Sequence, residues 1–422
     1  MASVEMRRRL PEIHDYDAGH YFGQLERFLA TRGIEDQLAR IDNELRTETG
    51  VYLERWVRPL RAWWLEFGEA RDTIRRGGSF RGRSLLRMNR PFQTAIKLSV
   101  LYRSMPPWKR LEFRSRILKA DLLQPILFEI DCAAHFWQLG YDIEWVQSPG
   151  RSGARSPEFI GRCGGQEVEV ECKAKKLDAG RRVERRSFFK AIDRVISIVR
   201  KKALCGTMYL TLPSRSPKDI DWLRHSARSL DDGLGAGSGT VALTGGGQLD
   251  FLLHPLDGAE RPIRDAAVES GALDKPYAHF AIFGTRRGEA IADAVVFRME
   301  SARPDAFLED VLESLRDAEH QFSGSRAAIV CCLLPDIDSF EGLQADSAIQ
   351  LMTHHFFEKH ARDCINAISY VSEMKQEIDG SVVVSDCPSL TFRNARYNEK
   401  YGTDIPVYAS GNREGRDSPR VR

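Results

Sequence analysis

The sequence predicts an α/β protein whose core runs helix, three strands, helix, strand, with a helical region before it and an α/β extension after it. Three observations predict this. Gln124 to Leu139 has helical apolar spacing, Ser156 to Lys175 reads as two strand-like runs meeting at Gly164-Gly165, and an amphipathic basic helix then leads into the apolar run Gly206 to Leu212. The chain has 422 residues, 42% hydrophobic and 29% charged, which suits two or three globular domains.

Residues 1–120 read as helical and basic. Tyr21 to Arg32, Ile34 to Glu48 and Val51 to Arg71 carry helix-like spacing, with Trp56, Leu60, Trp63, Trp64 and Phe67 as expected anchors. From Arg75 to Lys119 there are thirteen Lys or Arg and one acid, Glu112, interleaved with Phe80, Phe92, Tyr102, Trp108 and Phe113. Such a segment suits phosphate contact and base stacking; aromatics at helical spacing equally suit a core. The net charge is only +2, so any nucleic-acid contact has to come from local clusters of this kind.

The helix from Gln124 to Leu139 buries Ile126, Leu127, Ile130, Ala133, Ala134 and Trp137, starts beside Pro125 and stops at Gly140, with Glu129 flanking its apolar stripe. Tyr141 to Gln147 reads as a strand. The polar loop Ser148 to Ser156 holds Arg151 and Arg155. In the next hairpin, Val168, Val170, Cys172 and Ala174 point one way and Glu167, Glu169, Glu171, Lys173 and Lys175 the other, the pattern of a half-buried strand. Glu171 and Lys173, two apart, put a carboxylate and an ammonium on one face, and Glu158 lies across the hairpin. Carboxylates converging beside a lysine can hold a divalent metal and activate water.

Pro157-Glu158 followed by Glu171-Cys172-Lys173 resembles the signature of the PD-(D/E)xK nucleases, the restriction-endonuclease-like superfamily. The resemblance covers roughly residues 120 to 215, about a quarter of the chain. It implies a restriction-endonuclease-like core and a metal-dependent endonuclease. Glu158 and Glu171 would bind Mg²⁺ (or Mn²⁺), with the Cys172 carbonyl as a further ligand. Glu129 would bind or orient from the helix, and Lys173 would position the attacking water or stabilise the phosphate. Glu158 stands where the family usually has aspartate, so its carboxylate reaches one methylene further. The implied partner is nucleic acid, with DNA expected, and a homodimer would suit two-strand cutting. Restriction, phage defence and repair are the roles the family suggests.

Phosphate contacts are expected from Arg151 and Arg155, from Lys175, and from Lys190 and Arg194, one turn apart on the helix Phe188 to Ala203. The alternative is a catalytically inactive nucleic-acid-binding or regulatory protein on the same fold.

Beyond Pro213, Asp219 to Leu230 and the stretches Pro304 to Phe322 and Asp346 to Asp363 read as helices. Leu249 to His254, His279 to Gly284, Ala294 to Met299, Ala327 to Leu334, Ala367 to Met374, Ser381 to Ser385 and Leu390 to Arg393 read as strands. The Gly-rich segment Asp231 to Gly247 lacks the GxxxxGK[ST] and GxGxxG patterns, so hairpin turns are expected there, not a phosphate loop. His354-His355 and His360 are close in sequence but off one helical face, which argues against a metal site. The expected divisions are 1–120, 121–215, 216–410 and a polar disordered tail, 411–422. No apolar run approaches the ~18 residues of a membrane span. The charged start and the eight scattered cysteines, with no CxxC, fit reduced thiols in a cytoplasm.

Overall fold

Helical periodicity becomes helix where the apolar spacing places it. In the computed structural model the helices are α1 (Ala18–Leu29), α2 (Thr31–Thr47), α3 (Arg58–Arg75), α4 (Asn89–Leu101), α5 (Pro107–Ile117) and α6 (Leu123–Gln138). Then come β1 (Asp142–Trp145), β2 (Phe159–Cys163), β3 (Gln166–Ala174), α7 (Arg185–Lys201), β4 (Leu204–Leu212), α8 (Ala227–Gly233), β5 (Gly237–Ala242), β6 (Gln248–Pro255), β7 (Glu260–Pro262) and α9 (Ile263–Glu269). The chain continues through β8 (His279–Arg287), β9 (Ala290–Ser301), α10 (Phe307–Glu319), β10 (Ala327–Leu333), α11 (Ala348–Lys359), β11 (Ile365–Val371), β12 (Lys375–Asp379), β13 (Val382–Asp386) and β14 (Ser389–Arg393). The structure describes residues 8–11, 17–78, 88–119, 123–147, 156–176, 178–214, 226–269, 279–335, 347–372, 375–379, 382–386, 389–401 and 405. The expected tail 411–422 and residues 219–225 of an expected helix lie outside them.

The protein is mixed α/β, with two mixed six-stranded sheets. No helix among the described residues is long and apolar enough to cross a membrane. The chain forms two compact units, each discontinuous in sequence: residues 1–42, 61–177 and 308–422 in the first, and 43–60 and 178–307 in the second.

In the first unit the sheet order is β1-β2-β3-β10-β11-β14. β1, β2 and β3 form an antiparallel meander, and β10 lies parallel between β3 and β11. The β2–β3 turn has positive φ at Gly164 and Gly165, 55° and 84°, which a glycine pair adopts without strain. β10 is buried along its whole length, as its apolar composition on both faces predicts. Helix α6 packs on β1, β2 and β3, and α1 and α4 continue the helical layer. The helical core is aromatic: Phe22, Trp64, Phe67, Phe92 and Phe113 are all fully buried.

The second unit has the sheet β5-β6-β4-β9-β7, with β8 paired to β9. Its core joins Phe188, Ile192, Val195 and Val199 of α7 to Met208 and Leu210 of β4 and Phe297 of β9. Asp193 of α7 accepts hydrogen bonds from the Val51 and Tyr52 backbone N–H groups at 2.6 and 2.9 Å, satisfying otherwise orphaned donors of a helical turn. The Gly-rich segment contributes β5, paired with β6, so it is a hairpin strand.

Two sequence expectations change here. β4 (Leu204–Leu212) does not join the meander; it pairs with β6 and with β9, and the strand parallel to β3 is β10. The compact division therefore falls at 177/178, inside the stretch expected as one core. β4 and β10 are both short apolar runs, and nothing local distinguishes which partner each will take. Likewise β3 is not half-buried: Glu169 and Glu171 are 1% and 2% exposed, because its polar face is covered as well.

Candidate active site on the β2–β3 hairpin

The β2–β3 register fixes the first two acids. The ladder ends at the pair Phe159–Val170, so Glu158 and Glu171 are the next residues along the two strands, and their carboxyls act on each other electrostatically. The Glu158 backbone is held on both sides: its N–H donates to the Val170 carbonyl at 3.1 Å, and its carbonyl accepts from Val146 N–H at 3.3 Å. Like charges within reach of each other repel, so this arrangement needs compensating cations.

Lys173 supplies one, its Nζ lying 2.9 Å from Glu171 Oε1. Glu171 Oε2 is buried and has no hydrogen-bond partner among the described residues. A buried carboxylate oxygen without a donor is costly and rare in folded proteins. Burial pushes the Glu171 carboxyl up to about 8, with Lys173 pulling against it and Glu158 adding to it.

Glu129 on α6 is brought to the same place, and its carboxyl and those of Glu158 and Glu171 act on one another electrostatically. Its oxygens are already occupied. Arg116 of α5 grips it bidentately, Nη2 to Oε1 at 2.5 Å and Nη1 to Oε2 at 3.0 Å, and Lys109 Nζ stands 3.7 Å from Oε2. Burial and the Glu158 charge raise the Glu129 carboxyl to about 8 despite these cations.

Lys109, Arg116 and Glu112 are the residues that sequence reasoning did not single out. Lys109 is 2% exposed, with Nζ 3.3 Å from Glu158 Oε2 and 3.3 Å from Glu112 Oε2. Its ammonium also faces the Phe113 and Trp145 rings at 4.7 and 5.3 Å from their centroids. The available signal was the lopsided charge of residues 75–119. Much of that charge turns out to answer acids of the same unit: Lys97 meets Asp131 at 2.8 Å and Arg90 meets Glu66 at 3.6 Å.

The chain matches no family model, no curated protein and no solved structure.

The other expected site residues are placed as follows. The Cys172 thiol turns toward Cys132 and Cys331, and burial pushes it up to about 12, while its backbone lies in the ladder to β10 opposite Cys331. Lys175 is drawn away to α10, where Nζ donates to the Asp310 carbonyl at 2.9 Å and Ser314 Oγ at 2.7 Å and pairs with the Asp310 carboxylate. In the second unit, Lys190 meets Glu48 at 3.5 Å and lies over the Tyr52 ring, and Arg194 is exposed. Arg151 and Arg155 lie outside the described residues. Among the described residues no group of three or more His, Cys, Asp or Glu is arranged to hold a metal ion, and His354 instead pairs with Glu358 at 3.1 Å.

Proposed function

We propose that the protein is a metal-dependent phosphodiesterase acting on nucleic acid, a DNA endonuclease in the first instance. The single observation that carries the reading is the buried Oε2 of Glu171, without a hydrogen-bond partner among the described residues, within electrostatic reach of Glu158 and beside Lys173. An oxygen so placed suits a hard divalent cation. Mg²⁺ keeps several waters and is commonly held by one or two carboxylates together with substrate phosphate, so the pair Glu158 and Glu171 fits it without a third acid. Bound there, Mg²⁺ (or Mn²⁺) would supply Lewis acidity and a more nucleophilic water at neutral pH.

The chain's own groups then divide the remaining work. Glu158 and Glu171 bind through oxygen, with the Cys172 carbonyl as a further donor at the same strand end. Lys173 holds an ammonium where it can orient the attacking water or meet negative charge growing on the phosphate. Glu129 orients Arg116 and Lys109 and is a positioning residue. Further support comes from the order of elements in the first unit. Helix α6, the meander β1–β3, helix α10 and the parallel strand β10 follow the helix–three strands–helix–strand order of restriction-endonuclease-like nucleases, with residues 178–306 inserted before the second helix.

The assay is direct: plasmid, linear and single-stranded DNA and RNA incubated with Mg²⁺, Mn²⁺ or EDTA. Cleavage should appear with metal and vanish with EDTA. Glu171→Ala and Lys173→Ala should abolish it while the circular dichroism spectrum is kept; cutting at the wild-type rate by either variant would refute the assignment.

A second reading, an inactive nucleic-acid-binding or regulatory protein, is favoured by the full occupation of Glu129 by cations. It predicts binding without cleavage, and no gain of melting temperature with Mn²⁺. A homodimer and a cytoplasmic location accompany the nuclease reading.

A further inference from the structure

We propose that Lys109 is a tethered counter-cation that competes with the divalent ion for Glu158, so that metal loading of the hairpin site is conditional on its withdrawal. This rests on the two-carboxylate metal reading above.

The Lys109 backbone is anchored, and its ammonium reaches the acids on a four-carbon stem. The residue lies at the start of α5 behind Pro106 and Pro107, and its backbone N–H donates to the Pro106 carbonyl at 3.0 Å. The side chain is enclosed, and the ammonium ends among Glu112, Glu129 and Glu158.

Among the described residues, Glu158 is the one of these three acids whose ion pair is with Lys109 alone. Glu129 is neutralised by the two-pronged contact with Arg116. Glu112 also accepts from Arg116, at 3.0 Å. Lys109 Nζ lies 3.3 Å from Glu158, the closest cation among the described residues, and Glu158 is the one acid of the three assigned to the metal.

With every group ionised, four carboxylates (Glu112, Glu129, Glu158, Glu171) face three cations (Lys109, Arg116, Lys173), a formal charge of −1. A divalent ion would make it +1. An ammonium kept at Glu158 would then repel the ion across a water-poor space, where such repulsion far exceeds thermal energy. One of the two cations has to give way. Lys109 can do so because its stem is flexible and it can turn toward an arriving phosphate, whereas the Arg116 fork is pinned by two bonds.

The test is Mn²⁺ binding to the full chain, measured by titration calorimetry without substrate. Wild type is compared with Lys109→Met, the double variant Lys109→Gln/Glu112→Gln and Glu171→Ala. The double variant removes an acid together with the amine, so the formal charge of the cluster is unchanged, which provides a second route to the measurement if Lys109→Met fails to fold. Both Lys109 variants should bind Mn²⁺ about tenfold or more tightly than wild type, and Glu171→Ala should lose binding. Tight binding by the Lys109 variants with none by wild type would be the same competition at its limit. If wild type binds Mn²⁺ through Glu171 and the Lys109 variants bind equally or more weakly, the competition is refuted and the metal site stands. If neither wild type nor the Lys109 variants bind, both ideas fall.

Discussion

Glu169 and Glu171 sit two residues apart on one face of one strand, equally buried, and end in opposite states. Glu169 is closed: Arg326 Nη1 donates to Oε1 at 3.1 Å and the Ser323 backbone N–H to Oε2 at 2.8 Å. Glu171 is left open, with one oxygen on Lys173 and the other without a partner among the described residues. The first acid fastens β3 to the start of β10. The second retains a desolvated, unpaired oxygen that a structural role does not require. Burial alone does not mark a reactive carboxylate; the unfilled acceptor does.

Four measurements can break or sharpen this contrast. The largest effect belongs to Glu171. Its replacement by alanine should lower metal-dependent cleavage by at least about 100-fold, measured by plasmid nicking, while Glu169→Gln should leave the rate within a few-fold of wild type. Equal losses from both variants would erase the distinction.

Arg326→Ala comes next. It leaves Glu169 buried with only a backbone donor, and should cost about 3 kcal/mol of stability in urea unfolding with little change in the metal dependence of cleavage. A neutral effect would show that Glu169 is not held as described.

The third test is pH. Burial holds the folded Glu171 carboxyl near 8, above its ordinary 4.5. Between these values the folded chain keeps a proton that the unfolded chain has released. Its stabilising contribution is therefore full at low pH and is lost as pH rises toward 8, by about 1.4 kcal/mol per pH unit for this one group. Metal-free urea midpoints should fall across that window, and Glu171→Gln should make the fall shallower. Glu129, raised for the same reason, accounts for a further part of the slope.

The smallest effect lies at the end of the same strand. Lys175 bonds α10, so Lys175→Ala should cost about 1 kcal/mol without weakening DNA binding in a salt titration. A lowered salt slope instead would return Lys175 to phosphate contact.

Most individual elements were legible from local pattern. The Gly164-Gly165 turn, the alternation of β3, the amphipathic α6 and the apolar β10 follow from periods of two and 3.6 and from turn chemistry. Glu158, Glu171 and Lys173 were legible because they flank the end of one hairpin ladder, Glu171 and Lys173 two apart on one strand and Glu158 just before the other. Lys109 and Arg326 were not, since they reach their acids from 49 and 157 residues away. The exchange of β4 for β10 beside β3 has the same origin: a strand's own composition does not name its neighbour.

By itself the sequence determined the kinds of elements, their order and the row of charged side chains along β3, because these depend on residues one to four positions apart. Only the tertiary structure decided which acids are neutralised and which keep an open oxygen. That choice depends on where distant arginines and lysines are delivered and on how much water remains around each carboxylate, and neither is written in any local stretch of the chain.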